Sequence, residues 1–336
     1  MTERNPTIVF TQPGQVVIEQ RPVPEPTQGQ ALIRTKRTLI STGTELTILS
    51  GDFPKDSAWS RYGRFPFLPG YDNVGEVIAV GEGVSDKWVG SRVASYGLHA
   101  CYVTIDADSL RPIDDEVPDE YAVFSTVAEI TLNGVRKGGV RLGDSVVIYG
   151  AGLIGQLTAR FCGLCGARPV ITVDIADPRL SRLPKEPFFV AFNPRVDDVV
   201  SGVREETRGR MADVVFEATG DQDLIPAEFG CLREQGRFVV LSSPRGKTAF
   251  DFHDLCNSPS YSIVGTHNRS HPLYPTADNP WTGKRDAEFF FDIVRKGELD
   301  VGNLISHRIP YSQAPEIYRQ LLKDRSGFMG VILMWD

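Results

Sequence analysis

Val146-Val147-Ile148-Tyr149 runs directly into Gly150-Ala151-Gly152-Leu153-Ile154-Gly155, and one helix length later Val170-Ile171-Thr172-Val173 ends on Asp174. A β-branched run of this kind reads as a buried parallel strand. The Gly-x-Gly-x-x-Gly turn after it lets the backbone approach a pyrophosphate, which then rests on the positive end of the following helix. Glycines alone would say little. Here a strand precedes them, an apolar helix follows over Leu153 to Cys165, and a second strand ends in an acidic residue about 20 positions on, which is the context the motif requires. The expectation is a dinucleotide-binding unit with Gly150, Gly152, Leu153, Ile154 and Gly155 at the turn. A carboxylate at Asp174 accepts hydrogen bonds from ribose hydroxyls and repels the extra phosphate of NADP, so NAD is the expected cofactor. Ile175 and Ala176 bring no cation to reverse that choice, and Arg179 is the nearby one that could.

At 336 residues the chain is long for a single core, and two domains are expected. Net charge is −7 with the basic residues scattered, which gives no support for nucleic-acid or anionic-membrane binding. No run of about 18 apolar residues is present, and Glu3, Arg4, Asn5 and Pro6 interrupt any secretory signal, so a cytoplasmic location is expected. The five cysteines are odd in number and far apart, against a disulfide framework. Cys162 and Cys165 form a CxxC pair inside the apolar helix, where core packing is the better reading than redox or metal use. Residues 1–119 read as short strands broken by Gly and Pro, at 7–10, 16–19, 30–39, 75–80 and 100–105. Residues 120–267 alternate helix and strand, beginning with a helix over 122–136. Six strands of this kind complete a doubly wound parallel sheet. Pro178, Pro184 and Pro187 leave room for only a short turn where a crossover helix would normally lie. Residues 268–336 supply helices at 287–295 and 313–323 and a strand at 330–334, and are expected to complete the first domain. The fold class is therefore α/β, a Rossmann sheet plus an irregular all-β domain.

Several further motifs, in order along the chain, carry a family resemblance. Gly70-Tyr71-Asp72-Asn73-Val74-Gly75, followed by Gly81 and Val84, resembles the Gly-His-Glu pattern of the medium-chain dehydrogenase/reductase family. Gly43-Thr44-Glu45 resembles the Gly-Thr-Asp after that family's first zinc ligand. Gly143-Asp144 and the strand-turn Val214-Val215-Phe216-Glu217-Ala218-Thr219-Gly220 extend the likeness over almost the whole length. The resemblance implies a GroES-like catalytic domain, a Rossmann domain and an active site in the cleft between them. It also places Thr219, Gly220 and Ser242 beside the cofactor. The departures concern zinc. The ligand positions read Thr42, Tyr71 and, by a looser alignment, Thr126, whereas zinc takes thiolate, imidazole or carboxylate. The four-cysteine structural loop is missing as well, because Arg92-Val93-Ala94-Ser95-Tyr96-Gly97 runs straight on to His99-Ala100-Cys101-Tyr102. The chain resembles a zinc-free branch of the family, similar to the bacteriochlorophyllide dehydrogenases. An oxygen-rich site of Asp72, Glu45, Glu129 and His99 stays open as the alternative.

Without a Lewis acid, other groups must handle the substrate proton and polarise its oxygen. Thr44 matches the family's proton-relaying hydroxyl. Tyr71 stands in the vacated histidine position, where a phenol donates to a carbonyl oxygen or, with a lowered pKa, accepts a proton. Glu45 and Asp72 match carboxylates behind the ligands, and Glu129 lies on the helix leading to the glycine turn. Structural roles compete with each: capping or turn formation for Thr44 and Asp72, cavity filling for Tyr71. Two loops are expected to shape a substrate pocket, one around Trp59, Arg61 and Tyr62, the other running from His267 and Asn268 to Trp281. His99 is a further pocket candidate, although a histidine before a strand is more often held in the core. The expected activity is zinc-independent, NAD-dependent oxidation of a secondary alcohol of a sugar, cyclitol or polyol, by a homo-oligomer. A reductase of activated double bonds or quinones, and a non-catalytic NAD-binding redox sensor, are the alternatives.

Overall fold

The computed structural model describes residues 4–336, which divide into two compact units. One takes the chain up to Val127 together with Trp281–Asp336, and the other is Ala128–Pro280. The first division falls inside the helix Ser125–Gly138, eight residues beyond the pattern change at 120. Among the described residues no helix is long and apolar enough to cross a membrane.

The second unit is built on a parallel six-stranded sheet with spatial order Phe189–Phe192, Val170–Val173, Val146–Tyr149, Ala212–Glu217, Leu232–Val240, Ser262–Gly265. In sequence terms this is 3-2-1-4-5-6, the order of a dinucleotide-binding doubly wound sheet. Its β-branched strands are buried on both faces, and Val147, Ile171, Val215 and Phe238 join Phe229 in one apolar cluster. The prolines after Asp174 have the expected effect, since only Asp177–Leu180 is helical there.

The first unit holds a hairpin, Arg4–Gln12 with Gln15–Pro22, and a second sheet ordered Ile305–Pro310, Gly330–Met334, Gln30–Leu39, Asn73–Val80, Arg92–Ser95, Arg111–Pro112. Tyr102–Asp106 also pairs with Gln30–Leu39. The return of the chain end is explicit here, because Gly330–Met334 lies antiparallel to Gln30–Leu39. Ile8, Phe10, Ile40, Ile48, Tyr318 and Leu333 form its main core.

Three readings need correction. The helix expected over 122–136 is two, Asp119–Ala122 and Ser125–Gly138, with Val123 and Phe124 buried at the break. The segment 224–233, expected as a single element in the helix–strand alternation, is not one element. Ile225–Glu228 is helical, and a strand already starts at Leu232. The loop expected around Trp59, Arg61 and Tyr62 contains a short helix, Ala58–Tyr62, and another, Thr44–Ser50, precedes it. Thr44–Ser50, at seven residues with two threonines and an isoleucine, has little helical tendency of its own, and burial of Leu46, Ile48 and Leu49 holds it.

Glu228 is fully buried at the end of Ile225–Glu228, and neither carboxyl oxygen has a hydrogen-bond partner. Burial, with Glu217 and then Asp221 adding negative charge, pushes its pKa from 4.5 up to about 9. The folded state therefore favours the neutral form. The stability this group allows is fully present below pH 4.5 and is lost as the pH climbs towards 9. Glu228→Gln, neutral at every pH, should match the wild type near pH 4.5 and exceed it by on the order of 3 kcal/mol at pH 8. Urea unfolding at both pH values checks this, and a pH-independent difference would contradict it.

Candidate active site

The glycine turn of the second unit depends on close approach. Gly150 has φ 98°, and a Cβ there would meet the Ala218 carbonyl oxygen at 2.9 Å. A Cβ on Gly155 would lie 1.7 Å from the Gly150 oxygen, so only glycine lets the helix start this close to the strand end. Gly152 faces open space, with nothing within 4 Å of its would-be Cβ. It is also the N-cap of the helix Leu153–Leu164 and brings no side-chain cap. The first N–H groups of that helix, those of Leu153 and Ile154 included, thus receive no cap from the Gly152 side.

Asp174 stands beside this turn. Its carboxylate accepts from Ala151 N at 2.7 Å and Ala176 N at 2.8 Å, and the Arg179 guanidinium lies 3.9 Å from Oδ2. Opposite, the fully buried Glu217 accepts from Thr219 N and Oγ1, both at 2.7 Å, from Gly220 N at 2.8 Å and from the Ser242 hydroxyl. Thr219, Gly220 and Ser242 are therefore one assembly. Glu217 holds it, a role that sequence reasoning missed, although an acid ending a buried strand must find donors somewhere. Cys162 is fully buried and burial raises its thiol pKa, in keeping with core packing, while Cys165 is exposed.

In the first unit the positions matching zinc ligands carry hydroxyl side chains. The Tyr71 hydroxyl shares a short hydrogen bond with Ser41 Oγ and another with the Thr44 side chain. Thr126 Oγ1 donates to the Tyr71 carbonyl at 3.0 Å, and the Thr42 carbonyl accepts from Arg325 at 3.2 Å. These donors do not fit a zinc ion, since none is a thiolate, imidazole or carboxylate. Nor do three His, Cys, Asp or Glu side chains converge as a metal site among the described residues. Desolvation, followed by the charge of the buried Asp72, raises the Tyr71 pKa well above its ordinary value. The phenol therefore keeps its proton. Of the two uses expected of Tyr71, donating to a carbonyl oxygen or accepting a proton with a lowered pKa, the second is at odds with the raised pKa.

Behind this cluster Glu45, His99 and Tyr318 meet, all fully buried. His99 Nε2 lies 3.2 Å from both Glu45 oxygens, Ser41 N donates to Oε1 at 3.2 Å, and the Tyr318 hydroxyl donates to Oε2. His99 is thus a core residue engaged with Glu45 rather than a pocket-facing one, because its ring has no exposed surface. Glu129 is likewise fully buried. Tyr318 and the Ser41 hydroxyl were missed. Tyr318 falls on the apolar stripe Ala314, Ile317, Tyr318, Leu321, where a tyrosine reads as filler.

The expected pocket residues are divided between the two units. Trp59 packs on the first unit's core, Tyr62 is edge-on to Phe67 at 5.5 Å, and Arg61 donates to the Asp56 carbonyl at 3.2 Å. In the second unit His267 Nδ1 accepts from Arg269 N at 3.1 Å, and the Asn268 carbonyl lies 2.9 Å from His271 Nδ1. His267 and His271 flank a single 3₁₀ turn, so their spacing is not a helical ligand pair. Trp281 belongs to the first unit, under the Arg285 guanidinium at 3.9 Å, just before the helix Gly283–Arg295.

The family described as "Alcohol dehydrogenase GroES-like domain" matches residues 27–115, and the one described as "Zinc-binding dehydrogenase" matches 154–279. The chain belongs to the medium-chain dehydrogenase/reductase superfamily. It is an oxidoreductase. Among its relatives, D-guloside 3-dehydrogenase of Escherichia coli K12 is 29% identical over 81% of this chain and 78% of its own. Sorbitol dehydrogenase 2 of Saccharomyces cerevisiae is 26% identical, covering 94% of this chain and 93% of its own. The solved structure of an E. coli CFT073 alcohol dehydrogenase complexed with NADH shares the fold with a TM-score of 0.82, at 21% identity over 98% of this chain and 99% of that one.

Proposed function

We propose that this protein is an NAD-dependent, zinc-independent dehydrogenase acting on a secondary alcohol of a sugar, cyclitol or polyol. The observation carrying the reading is the hydroxyl cluster that Ser41 and Thr44 form with Tyr71, the residue in the vacated histidine position. The substrate class is supported by the names of the relatives, among them D-guloside and sorbitol dehydrogenases.

NAD, when bound, supplies the hydride acceptor. The Tyr71 phenol, kept protonated by burial, donates to the substrate oxygen and stabilises the charge that develops there, the task a Lewis acid performs in the zinc enzymes. Thr44 and Ser41 each accept one proton as they release another, so the proton of the alcohol O–H is relayed to solvent while the hydride leaves the carbon for NAD. Gly150, Gly152 and Gly155 admit the pyrophosphate to the start of the helix Leu153–Leu164, and Asp174 faces the adenine ribose.

A screen of NAD reduction against polyols and sugars should yield a substrate. On the best one, Tyr71→Phe should lower kcat by roughly 10²-fold with NAD affinity nearly unchanged. A tyrosine that only fills space would leave turnover close to that of the wild type, and this result would remove Tyr71 from the mechanism.

The choice of NAD rests on a carboxylate that a ribose phosphate would meet as a like charge. Arg179 only partly offsets it, at 3.9 Å. Asp174→Ala should weaken NAD binding and raise the ratio of NADP to NAD affinity, both read by calorimetric titration. A wild-type preference for NADP would overturn the assignment.

A further inference from the structure

We infer that Tyr318 is a positioning residue for the hydroxyl cluster, acting through Glu45 and His99 from the C-terminal helix Ala314–Lys323. The inference rests on the proposed role of Tyr71. Glu45 secures the Ser41–Tyr71 pair from both sides. On one side its Oε1 accepts from Ser41 N at 3.2 Å, fixing the residue whose hydroxyl meets Tyr71. On the other, both its oxygens hold the His99 ring at 3.2 Å, and the loop presenting Tyr71 is built on His99. His99 N donates to the Pro69 carbonyl at 2.9 Å. Gly70, at φ 108°, lies so close that a Cβ would sit 2.5 Å from His99 N and 3.0 Å from its ring. The carboxylate geometry thus sets both partners of the pair.

Tyr318 controls that geometry. Its hydroxyl donates to Glu45 Oε2, and burial, with Glu45 beside it, raises its pKa so that the proton stays on the phenol. Its ring is fixed edge-on to Phe10 at 5.1 Å, so the hydroxyl has little freedom to move. The bond joins residues 273 positions apart. Without it Glu45 would be free to turn about its side-chain torsions while still bound to His99, and Ser41 would follow.

Tyr318→Phe keeps the ring and removes only the hydroxyl. Two measurements test it, one independent of any substrate. In protein labelled with ¹³C at the tyrosine ζ-carbon, the Tyr71 resonance, assigned by its loss in Tyr71→Phe, should shift in Tyr318→Phe while that of the exposed Tyr274 stays in place. An unmoved Tyr71 resonance overturns the inference whatever the enzyme turns over. On the polyol substrate, Tyr318→Phe should lower kcat about tenfold with KM for NAD unchanged, and should add nothing further in the Tyr71→Phe background. A full tenfold loss in that background would make the effect of Tyr318 separate from Tyr71 and would also overturn it. Absence of NAD reduction by the wild type would instead count against the dehydrogenase reading, with the resonance still deciding the role of Tyr318.

Discussion

A carboxylate taken out of water must be surrounded by donors, and Glu45 is where this requirement shapes the candidate site. Its donors come from three separate parts of the first unit: Ser41 at the entry to a short helix, His99 before a strand and Tyr318 on the C-terminal helix. Leaving such a group short of a partner costs about 1–3 kcal/mol or more, so the three segments are held to one arrangement. The loop bearing Tyr71 is fixed by the same arrangement, because Gly70 has room only against the His99 backbone and ring. The second unit uses the same device at Glu217, which gathers Thr219, Gly220 and Ser242.

Much of this was legible in the sequence where the constraint is local. The glycine turn, the strands on either side of it and Asp174 announce themselves because turn geometry and β-branched runs are short-range signals. The proline-shortened segment after Asp174 is read for the same reason. Long-range pairing leaves no such mark. Tyr318 looks like any aromatic on an amphipathic stripe, and its partner lies at the other end of the chain. The helix Thr44–Ser50 is invisible for a related reason, since tertiary burial and not propensity holds it. His99 and Tyr71 were picked out by position in a motif, but whether each faces a ligand or the core depends on packing that the motif does not encode. His99 proved to be core, and burial, with the charge of Asp72 after it, disfavours a Tyr71 phenolate.

The account replaces one strong electrophile by several weaker groups. A metal ion polarises an oxygen without proton bookkeeping, whereas a phenol and two hydroxyls must be prealigned to give comparable help. In the proposed mechanism the buried network behind Tyr71 supplies that prealignment.

The claim most exposed to contradiction is that catalysis proceeds without zinc. Elemental analysis of the purified protein after dialysis, paired with turnover of a polyol substrate before and after treatment with a strong chelator, addresses it directly. The account predicts well under one zinc per chain and unchanged turnover. Stoichiometric zinc, with activity lost to the chelator and restored by the metal, would contradict it.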